Sequence, residues 1–235
     1  LIKKWDIELG KCLATYSDHD GEVHFIHCTS SSVEESSNRK LLVSGGHDKT
    51  VRIYDTEKDE LLQTLNPHHA PVTSVFMEKN ILYTASWDRY TKIIDLEKKE
   101  VVKTYESLEP TSCLKIHNGL IFCGCQDRYI RVFDPRQKDD KCVKLFSGHL
   151  DAVLCVELYS NHLFSGADDS SLRQWDLSTG RCIQVYEGHQ DAVTCISTVK
   201  NHLYTGSYDR SVRCWDVQGL TVRLEEEERK KRRNA

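Results

Sequence analysis

The chain has 235 residues, a formal net charge of −4, and basic and acidic residues in near balance, 32 against 36. This balance gives no overall attraction to nucleic acid or to anionic lipid, although it leaves room for a local patch. No apolar run approaches the roughly 18 residues of a membrane-spanning helix, and the start of the chain shows no signal-peptide pattern. We therefore expect a chain with no membrane partner. Because it starts with Leu1, we also expect it to be part of a longer protein.

One element recurs along the whole chain: a short strand that ends in a large apolar residue followed by aspartate. The six final aspartates are 49, 40, 39, 42 and 40 residues apart: Asp6, Asp55, Asp95, Asp134, Asp176 and Asp216. Seven residues before all but the first stands another aspartate, as in Asp48-Lys-Thr-Val-Arg-Ile-Tyr-Asp55. The alternation after it predicts a turn that enters a half-buried strand. Six occurrences at this spacing indicate an internal repeat.

Two copies show most clearly what one unit contains. Ser165–Asp176 (SGADDSSLRQWD) is written again as Thr205–Asp216 (TGSYDRSVRCWD), and a Gly-His pair precedes each copy, Gly148-His149 and Gly188-His189. This unit resembles the WD40 repeat, in which about 40–45 residues form one four-stranded blade of a β-propeller. The resemblance covers roughly residues 3–224.

The resemblance implies an all-β fold, a WD40-type β-propeller over residues 1–224. An N-terminal half-blade (LIKKWD and KCLATYS) precedes five complete four-stranded blades, and residues 220–224 (LTVRL) are expected to form the outer strand of the fifth. A half-blade would leave an unpaired strand edge, because each blade needs neighbours on both sides. We therefore expect one or two further blades upstream, for seven in total, or else a six-bladed ring that recruits a few upstream residues.

Two segments depart from the repeat. Residues 29–40 (TSSSVEESSNRK) lack an apolar pattern, which predicts a solvated inserted loop, either a tolerated surface insertion or a kinase site. Residues 225–235 (EEEERKKRRNA) form a charged tail, in which acidic residues stand four before basic ones, an order that favours a solvated helix. Its basic run also resembles a nuclear-import signal or a phosphate-binding patch: Arg229, Lys230, Lys231, Arg232 and Arg233.

The ten cysteines follow the repeat instead of forming a disulfide framework. Cys12, Cys142 and Cys182 open the outer strand of their units, while Cys155 and Cys195 share one position of the inner strand. No CxxC pair is present. Cysteines at repeated core positions behave as small buried hydrophobes, so we expect reduced, structural thiols in a cytoplasmic or nuclear protein.

The resemblance also implies a hydrogen-bonded network in each blade. Its members are the histidine of Gly-His, the turn aspartate, a serine or threonine of the middle strand and the tryptophan of the third strand. The full set appears in two units: His149, Ser165, Asp169 and Trp175, and His189, Thr205, Asp209 and Trp215.

The other three units keep only part of this network. Two units keep three members: His19, Ser44 and Asp48 with Tyr54, and His68, Thr84 and Asp88 with Ile94. The middle unit keeps only Asp127, with Leu108 near the histidine position, Cys123 at the hydroxyl position and Phe133 at the tryptophan position. Packing must hold that blade together, so we predict that it is the least stable.

The recurrence of these polar residues argues against an active site. A catalytic triad occurs once in a protein, whereas Ser, His and Asp recur here in every well-formed unit. His24 and His27 lie three apart in a strand and face opposite sides, which makes a poor metal pair. The sequence has no phosphate-binding glycine loop and no metalloprotease or kinase motif. We predict no catalytic residue, no cofactor, no metal and no small-molecule substrate.

A partner site is expected on one face of the propeller. The resemblance implies that the loops joining outer to inner strands and middle to third strands surround the channel mouth, on what we call the top face. The residues beside the turn aspartates then form a ring: His47, Lys49, Trp87, Arg89, Gln126, Arg128, Asp168, Tyr208 and Arg210. Exposed Trp, Tyr and Arg are enriched in interaction hot spots, and arginines suit acidic or phosphorylated peptides, although Asp-Arg is also a common turn choice in this family. Trp87 is the leading candidate.

Three functions fit this sequence, and none of them is enzymatic. The first is a non-catalytic scaffold that binds peptide segments of other proteins on the top face. A specialised form of it is the substrate-recognition module of a ubiquitin ligase. The alternative is an RNA-associated protein that uses the basic rim, the aromatic residues for stacking and the basic tail.

Overall fold

The computed structural model describes residues 1–29, 40–199 and 202–216. Within these ranges the chain forms 21 β-strands and no helix. The first two strands, β1 (Ile2–Asp6) and β2 (Lys11–Tyr16), pair as a separate two-stranded sheet, which we call the half-blade. Residues 30–39 of the predicted insertion, the predicted strand at 220–224 and the tail at 225–235 lie outside the described residues.

Five antiparallel sheets follow the half-blade, and we number them as blades in chain order. Blade 1 contains β3 (Val23–Cys28), β4 (Leu41–Gly46), β5 (Val51–Asp55) and β6 (Glu60–Leu65). Blade 2 contains β7 (Val72–Glu78), β8 (Ile81–Ser86), β9 (Tyr90–Asp95) and β10 (Glu100–Glu106). Blade 3 contains β11 (Thr111–His117), β12 (Leu120–Cys125), β13 (Ile130–Phe133) and β14 (Cys142–Phe146).

The last two blades carry the best preserved repeats. Blade 4 contains β15 (Val153–Tyr159), β16 (His162–Ala167), β17 (Leu172–Asp176) and β18 (Cys182–Tyr186). Blade 5, as far as it is described, contains β19 (Val193–Val199), β20 (His202–Ser207) and β21 (Val212–Asp216). In each blade the strands pair in chain order, with the first strand innermost.

The predicted all-β propeller is confirmed. Successive inner strands contact one another in the order β3, β7, β11, β15 and β19, so the blades turn around a common axis. Four blades have the expected four strands, and blade 5 shows three of its strands within the described residues.

The hydrophobic core lies between neighbouring blades, where the facing sides of two sheets are buried against each other; in blade 5 alternate residues of β21 are exposed. Val43 and Ile53 of blade 1 pack with Val75 and Leu82 of blade 2. The other blade boundaries are filled in the same way, with Phe133 of blade 3 among the residues that meet blade 2. Burial of apolar area of this kind is the main force that holds the blades together.

Every inner strand carries a β-bulge at its second residue. The pairing register shifts there in all five blades, and the extra residues are His24, Thr73, Ser112, Leu154 and Thr194. A bulge re-aims the side chain of the extra residue and bends the strand locally. In blade 1 it brings the His24 ring to 5.7 Å from the Trp87 ring of blade 2.

Of the five repeated cysteines that were expected to be buried, only Cys155 is; three are exposed and Cys12 is half-buried. Cys142 and Cys182 are exposed and Cys12 is half-buried, because they lie in outer strands. Cys155 is buried in the inner strand, but Cys195 at the same position is exposed. Next to Cys155, Gly166 lies against Val193 of the following blade, whereas the corresponding Gly206 meets, among the described residues, only Cys195 within 4 Å.

Candidate functional site

The hydrogen-bonded network is complete in blades 4 and 5. In blade 4, His149 Nδ1 lies 2.9 Å from Asp169 Oδ2, and its Nε2 lies 2.7 Å from the Ser165 hydroxyl. The indole Nε1 of Trp175 donates to that hydroxyl at 2.8 Å. Blade 5 repeats the arrangement at 2.7, 2.8 and 2.9 Å with its own four residues: His189, Asp209, Thr205 and Trp215.

The donors and acceptors of this network fix the proton positions. An indole N–H can only donate, so the Ser165 oxygen accepts from Trp175 and donates its own proton to His149 Nε2. The histidine proton then resides on Nδ1 and is donated to the Asp169 carboxylate. Ser165 is fully buried. A hydroxyl that is buried and already bonded on both sides cannot reach a substrate, so this serine has a structural role and no catalytic one.

Blades 1 and 2 contain the three polar members without the tryptophan. His19 lies 2.9 Å from Asp48 and 2.7 Å from Ser44. In blade 2, His68 makes the equivalent contacts at 2.8 Å each to its aspartate and its threonine, Asp88 and Thr84. At the tryptophan position stand the fully buried Tyr54 and the buried Ile94.

Several further hydroxyls support the aspartates, and the sequence comparison of units missed them. Ser171 donates to Asp169 at 2.6 Å, and Thr50 donates to Asp48 at 2.8 Å. Both hydroxyls stand two residues after the turn aspartate, where the backbone N–H also donates to the carboxylate. This local turn motif is typical of an aspartate that is followed two residues later by serine or threonine. That spacing in the sequence could have predicted these hydrogen bonds.

In blade 3, which lacks the histidine, an arginine binds the turn aspartate instead. The guanidinium of Arg131 makes two hydrogen bonds to Asp127, at 2.9 and 2.5 Å. Strand pairing also corrects the alignment, because Ser107, not Leu108, stands four residues before the start of the inner strand as the histidines do. Ser107 is buried and accepts from the thiol of Cys125 at 3.8 Å, whereas Leu108 is 75% exposed.

Hydrogen bonds keep the turn aspartates of blades 1 and 2 ionised. Burial raises the pKa of Asp88, but hydrogen bonds from His68 and from the His69 and Tyr90 backbone outweigh it and lower that pKa to about 2. Burial and hydrogen bonds oppose each other in the same way at Asp48, whose pKa also falls to about 2. Carboxylates with such low pKa values hold no proton to donate at neutral pH, so they do not serve as general acids.

The turns that carry these aspartates present the predicted top-face residues. The residue after each aspartate has a positive φ between 60° and 76°: Lys49, Arg89, Arg128, Ser170 and Arg210. This backbone conformation turns the chain sharply from the middle to the third strand. Three of the aromatic side chains beside the aspartates are exposed: His47, Trp87 (41%) and Tyr208 (69%). The three arginines, Arg89, Arg128 and Arg210, are exposed as well.

The structure brings some of these residues together and leaves others apart. The His47 and Trp87 rings meet edge to face across the boundary of blades 1 and 2, with 6.2 Å between centroids. Arg128 belongs to blade 3, and Tyr208 and Arg210 belong to blade 5. The sequence analysis missed His24, which completes the aromatic cluster with Trp87.

Other predicted features fall partly outside the described chain. The basic tail residues Arg229 to Arg233 lie there entirely. Within residues 1–29, 40–199 and 202–216, no group of three or more His, Cys, Asp or Glu is placed to hold a metal ion. No helix in the same ranges has the length and apolarity to cross a membrane.

Comparison with known proteins agrees with this geometry. A family model described as "WD domain, G-beta repeat" matches residues 10–55, 59–95, 140–176 and 180–216. The unmatched residues 96–139 include most of blade 3, where the histidine, hydroxyl and tryptophan are lost. The chain is 26% identical over 200 residues to mitochondrial division protein 1 of Mycosarcoma maydis, covering 75% of this chain and 23% of that relative.

A human relative and a solved structure show the same likeness. WD repeat-containing protein 37 of Homo sapiens is 26% identical over 223 residues, which covers 75% of this chain and 44% of the relative. The crystal structure of the computationally designed Ika8 protein superimposes with a TM-score of 0.73 at 24% identity, covering 91% of this chain and 64% of that one. The chain thus spans less than half the length of these two curated relatives. The four matched repeats and the network that they contain show that the chain belongs to the WD40 family of β-propellers.

Proposed function

We propose that this chain is a non-catalytic scaffold that binds peptide segments of partner proteins on the top face of the propeller. WD40 propellers are typically interaction modules, and the names of the relatives give no enzymatic role. The observation that carries the proposal is the exposed indole of Trp87, 41% accessible in the β8–β9 turn. Large aromatic side chains are costly to leave in water and are enriched at the centres of protein interfaces.

Charge on the same face supports an acidic partner segment. Arg89, Arg128 and Arg210 are exposed and make no ion pair among the residues described here, whereas the turn aspartates beside them are occupied by the internal networks. A guanidinium with free N–H groups binds carboxylate or phosphate with two parallel hydrogen bonds. We propose acidic or phosphorylated peptides as the ligand class.

The thiols support a location in a reducing compartment. All ten cysteines are free, including pairs of buried thiols in neighbouring strands. Proteins that keep this many thiols reduced are typical of the cytosol and nucleus, where we place this one. The basic tail Arg229–Arg233 is consistent with nuclear import.

An affinity pull-down of the full-length protein tests the proposal. Wild type is compared with Trp87→Ala/Arg89→Ala, each with and without nuclease. We expect wild type to recover partner proteins even after nuclease treatment, and the double variant to recover them no longer. A matched variant on the outer wall of the same blade, Val102→Ala, should retain them, because Val102 is exposed but lies on the outermost strand.

The alternative outcomes assign other functions. If recovery collapses on nuclease treatment and depends steeply on salt, the RNA-associated function replaces the scaffold, because phosphate contacts are strongly salt-dependent. If ubiquitin-ligase subunits are recovered together with a protein that only the Trp87 variant loses, the chain is a substrate-recognition module. Partners that are recovered both after nuclease treatment and with the double variant would show that the top face is not the binding site.

A further inference from the structure

A cavity of about 340 Å³ opens on the top face of blade 4, beside blade 5. Its walls come from the β16–β17 turn, the start of β17, the end of β18 and the connections that precede β15 and β19. Leu150 and Val185 supply apolar surface on these walls. The volume lies at the lower end of the range found for ligand sites, so the cavity suits a single side chain.

Arg173 lines this cavity with hydrogen-bond donors that the described chain does not use. Its guanidinium makes no hydrogen bond or ion pair to any described residue, and its Nε is shielded from solvent without a partner. The carboxylate of the nearby Asp169 is already bound by His149 and Ser171. A shielded donor without an acceptor is unfavourable, which points to an acceptor that enters the cavity from outside.

Two acceptors lie on the wall of the same cavity. The carboxylate of Glu187 is exposed and forms no ion pair within the described ranges. Gln190 is also exposed, and its amide nitrogen donates to the Gly188 carbonyl at 3.1 Å, which leaves its amide oxygen available. The cavity therefore presents both a donor and acceptors to an incoming group.

The charges of the cavity favour a neutral occupant that can both donate and accept. Two carboxylates, Asp169 and Glu187, stand against the guanidinium of Arg173, so the lining charge is −1. The exposed Asp151 and Asp168 add negative charge at the rim. This balance repels a carboxylate or a phosphate. A lysine or an arginine has only N–H donors and would leave Arg173 without an acceptor, whereas a carboxamide carries both an acceptor oxygen and N–H donors.

We propose that this cavity binds the carboxamide side chain of a glutamine in a partner peptide. The amide oxygen accepts from Arg173, and the amide N–H groups donate to Glu187 and Gln190. The methylene groups of the glutamine contact Leu150 and Val185. The inference rests on the proposed peptide-binding function and adds one neutral residue, recognised by blade 4, to the segment that the top face binds.

Selection from a random peptide library displayed on phage tests this preference. Wild type, Arg173→Met and Arg213→Met are each used to select binders. Arg213 is the matched control, because it holds the same position in blade 5, also has a shielded Nε without a partner in the described chain, and does not line the cavity. We expect glutamine at one fixed position of the peptides that wild type and Arg213→Met select, and no such preference with Arg173→Met.

Synthetic peptides then measure the contribution of the carboxamide. One selected sequence is made with glutamine, glutamate, lysine or leucine at the fixed position. We expect wild type to bind the glutamine peptide about tenfold more tightly than the other three, because each of those leaves a donor or an acceptor of the cavity unpaired. In Arg173→Met the preference for glutamine over leucine should fall to about threefold or less. The Nε–H resonance of Arg173 should shift in NMR titrations with the glutamine peptide, a response that a purely structural arginine would not give.

The outcomes distinguish this proposal from the scaffold function. Selected peptides without a fixed glutamine, tighter binding of the lysine or glutamate peptide, an unshifted Arg173 resonance or a wild type that selects no peptide would each overturn it. If the selected peptides lack glutamine but lose their affinity in Trp87→Ala/Arg89→Ala, the scaffold function stands and only the glutamine site fails. If glutamine-dependent binding persists in that double variant, the cavity stands and the partner site at Trp87 fails.

Discussion

At the scale of single residues, one hydroxyl in a blade holds two larger side chains in place. Ser165 accepts from the Trp175 indole and contacts His149 Nε2, and it is fully buried. We expect Ser165→Ala to lower the free energy of unfolding by about 1–3 kcal/mol for each buried partner left without a hydrogen bond. Chemical denaturation measures the change. Ser197→Ala, at an exposed serine of blade 5, should cost less than about 0.5 kcal/mol, and equal losses in the two variants would contradict the role of the network.

The thiols should divide into two groups by reactivity. Burial raises the pKa of Cys113, Cys123, Cys125 and Cys155, so these thiols hold little reactive thiolate. Five others are exposed: Cys28, Cys142, Cys182, Cys195 and Cys214. We expect a thiol reagent followed by mass mapping to label the exposed group at least about tenfold faster in the native protein. Rapid labelling of Cys123 without unfolding would show that blade 3 opens.

At the scale of the element, blade 3 replaces a histidine with an arginine. In blade 4, the Nε of the equivalent Arg173 is buried and has no hydrogen-bond partner among the described residues, and His149 is bound to the carboxylate of Asp169. In blade 3, no histidine competes, and Arg131 takes both oxygens of Asp127. In blade 1 both partners lie beside one carboxylate, with His19 at 2.9 Å and Arg52 at 3.5 Å from Asp48. Blade 3 shows the alternative in which the arginine alone holds the carboxylate of the turn aspartate.

This alternative predicts a difference between two matched arginines. We expect Arg131→Ala to destabilise the protein by about 3 kcal/mol, because it leaves the carboxylate of Asp127 largely buried without its cation. Arg173→Ala should cost clearly less, since it breaks no ion pair within the described chain. Thermal or chemical unfolding of the two variants measures both losses. If Arg173→Ala proved the more damaging change, the guanidinium of Arg131 could not be the substitute for the missing histidine.

The stability of blade 3 as a whole remains a prediction. It keeps one of the four network positions and depends on packing such as the stacked rings of Tyr105 and Phe133, 4.6 Å apart. We expect the amides of β12 and β13 to exchange hydrogen faster than those of β16 and β17 in blade 4. Native-state hydrogen exchange with mass spectrometry measures both sets at once. Slowest exchange in blade 3 would show that packing and the arginine pair more than compensate for the lost network.

The repeat pattern predicted the positions of the strands, because burial imposes its period. It did not predict contacts that depend on local backbone geometry. A bulge rotates His24 toward Trp87, and a bulge leaves no mark on the alternation of apolar residues. Blade 3 has no Gly-His pair to anchor the alignment, so the sequence analysis named Leu108 near the histidine position and did not identify its neighbour Ser107, which occupies that position. Exposure of Cys142 and Cys182 was missed because the outermost strand has the same alternation as the strands inside.

At the scale of the whole molecule, five blades around one axis offer a broad top face and an outer wall. The wall also exposes aliphatic side chains, such as Leu62 and Val102 at bulges of the outer strands. Bulges in an edge strand discourage pairing with another chain, so exposed apolar residues there need no partner. The predicted top face instead combines an exposed indole with arginines that make no ion pair within the described residues. The acidic peptide that we propose would contact these side chains.

The most direct test of the account is the affinity of a captured partner for three proteins: wild type, Trp87→Ala and Leu62→Ala. An interface hot spot costs at least about 2 kcal/mol on truncation, so we expect Trp87→Ala to weaken binding about thirtyfold or more. Leu62→Ala, a similarly exposed residue on the outer wall, should leave the dissociation constant within about twofold. Unchanged affinity of the Trp87 variant together with a loss in the Leu62 variant would contradict the account and move the partner site to the outer wall.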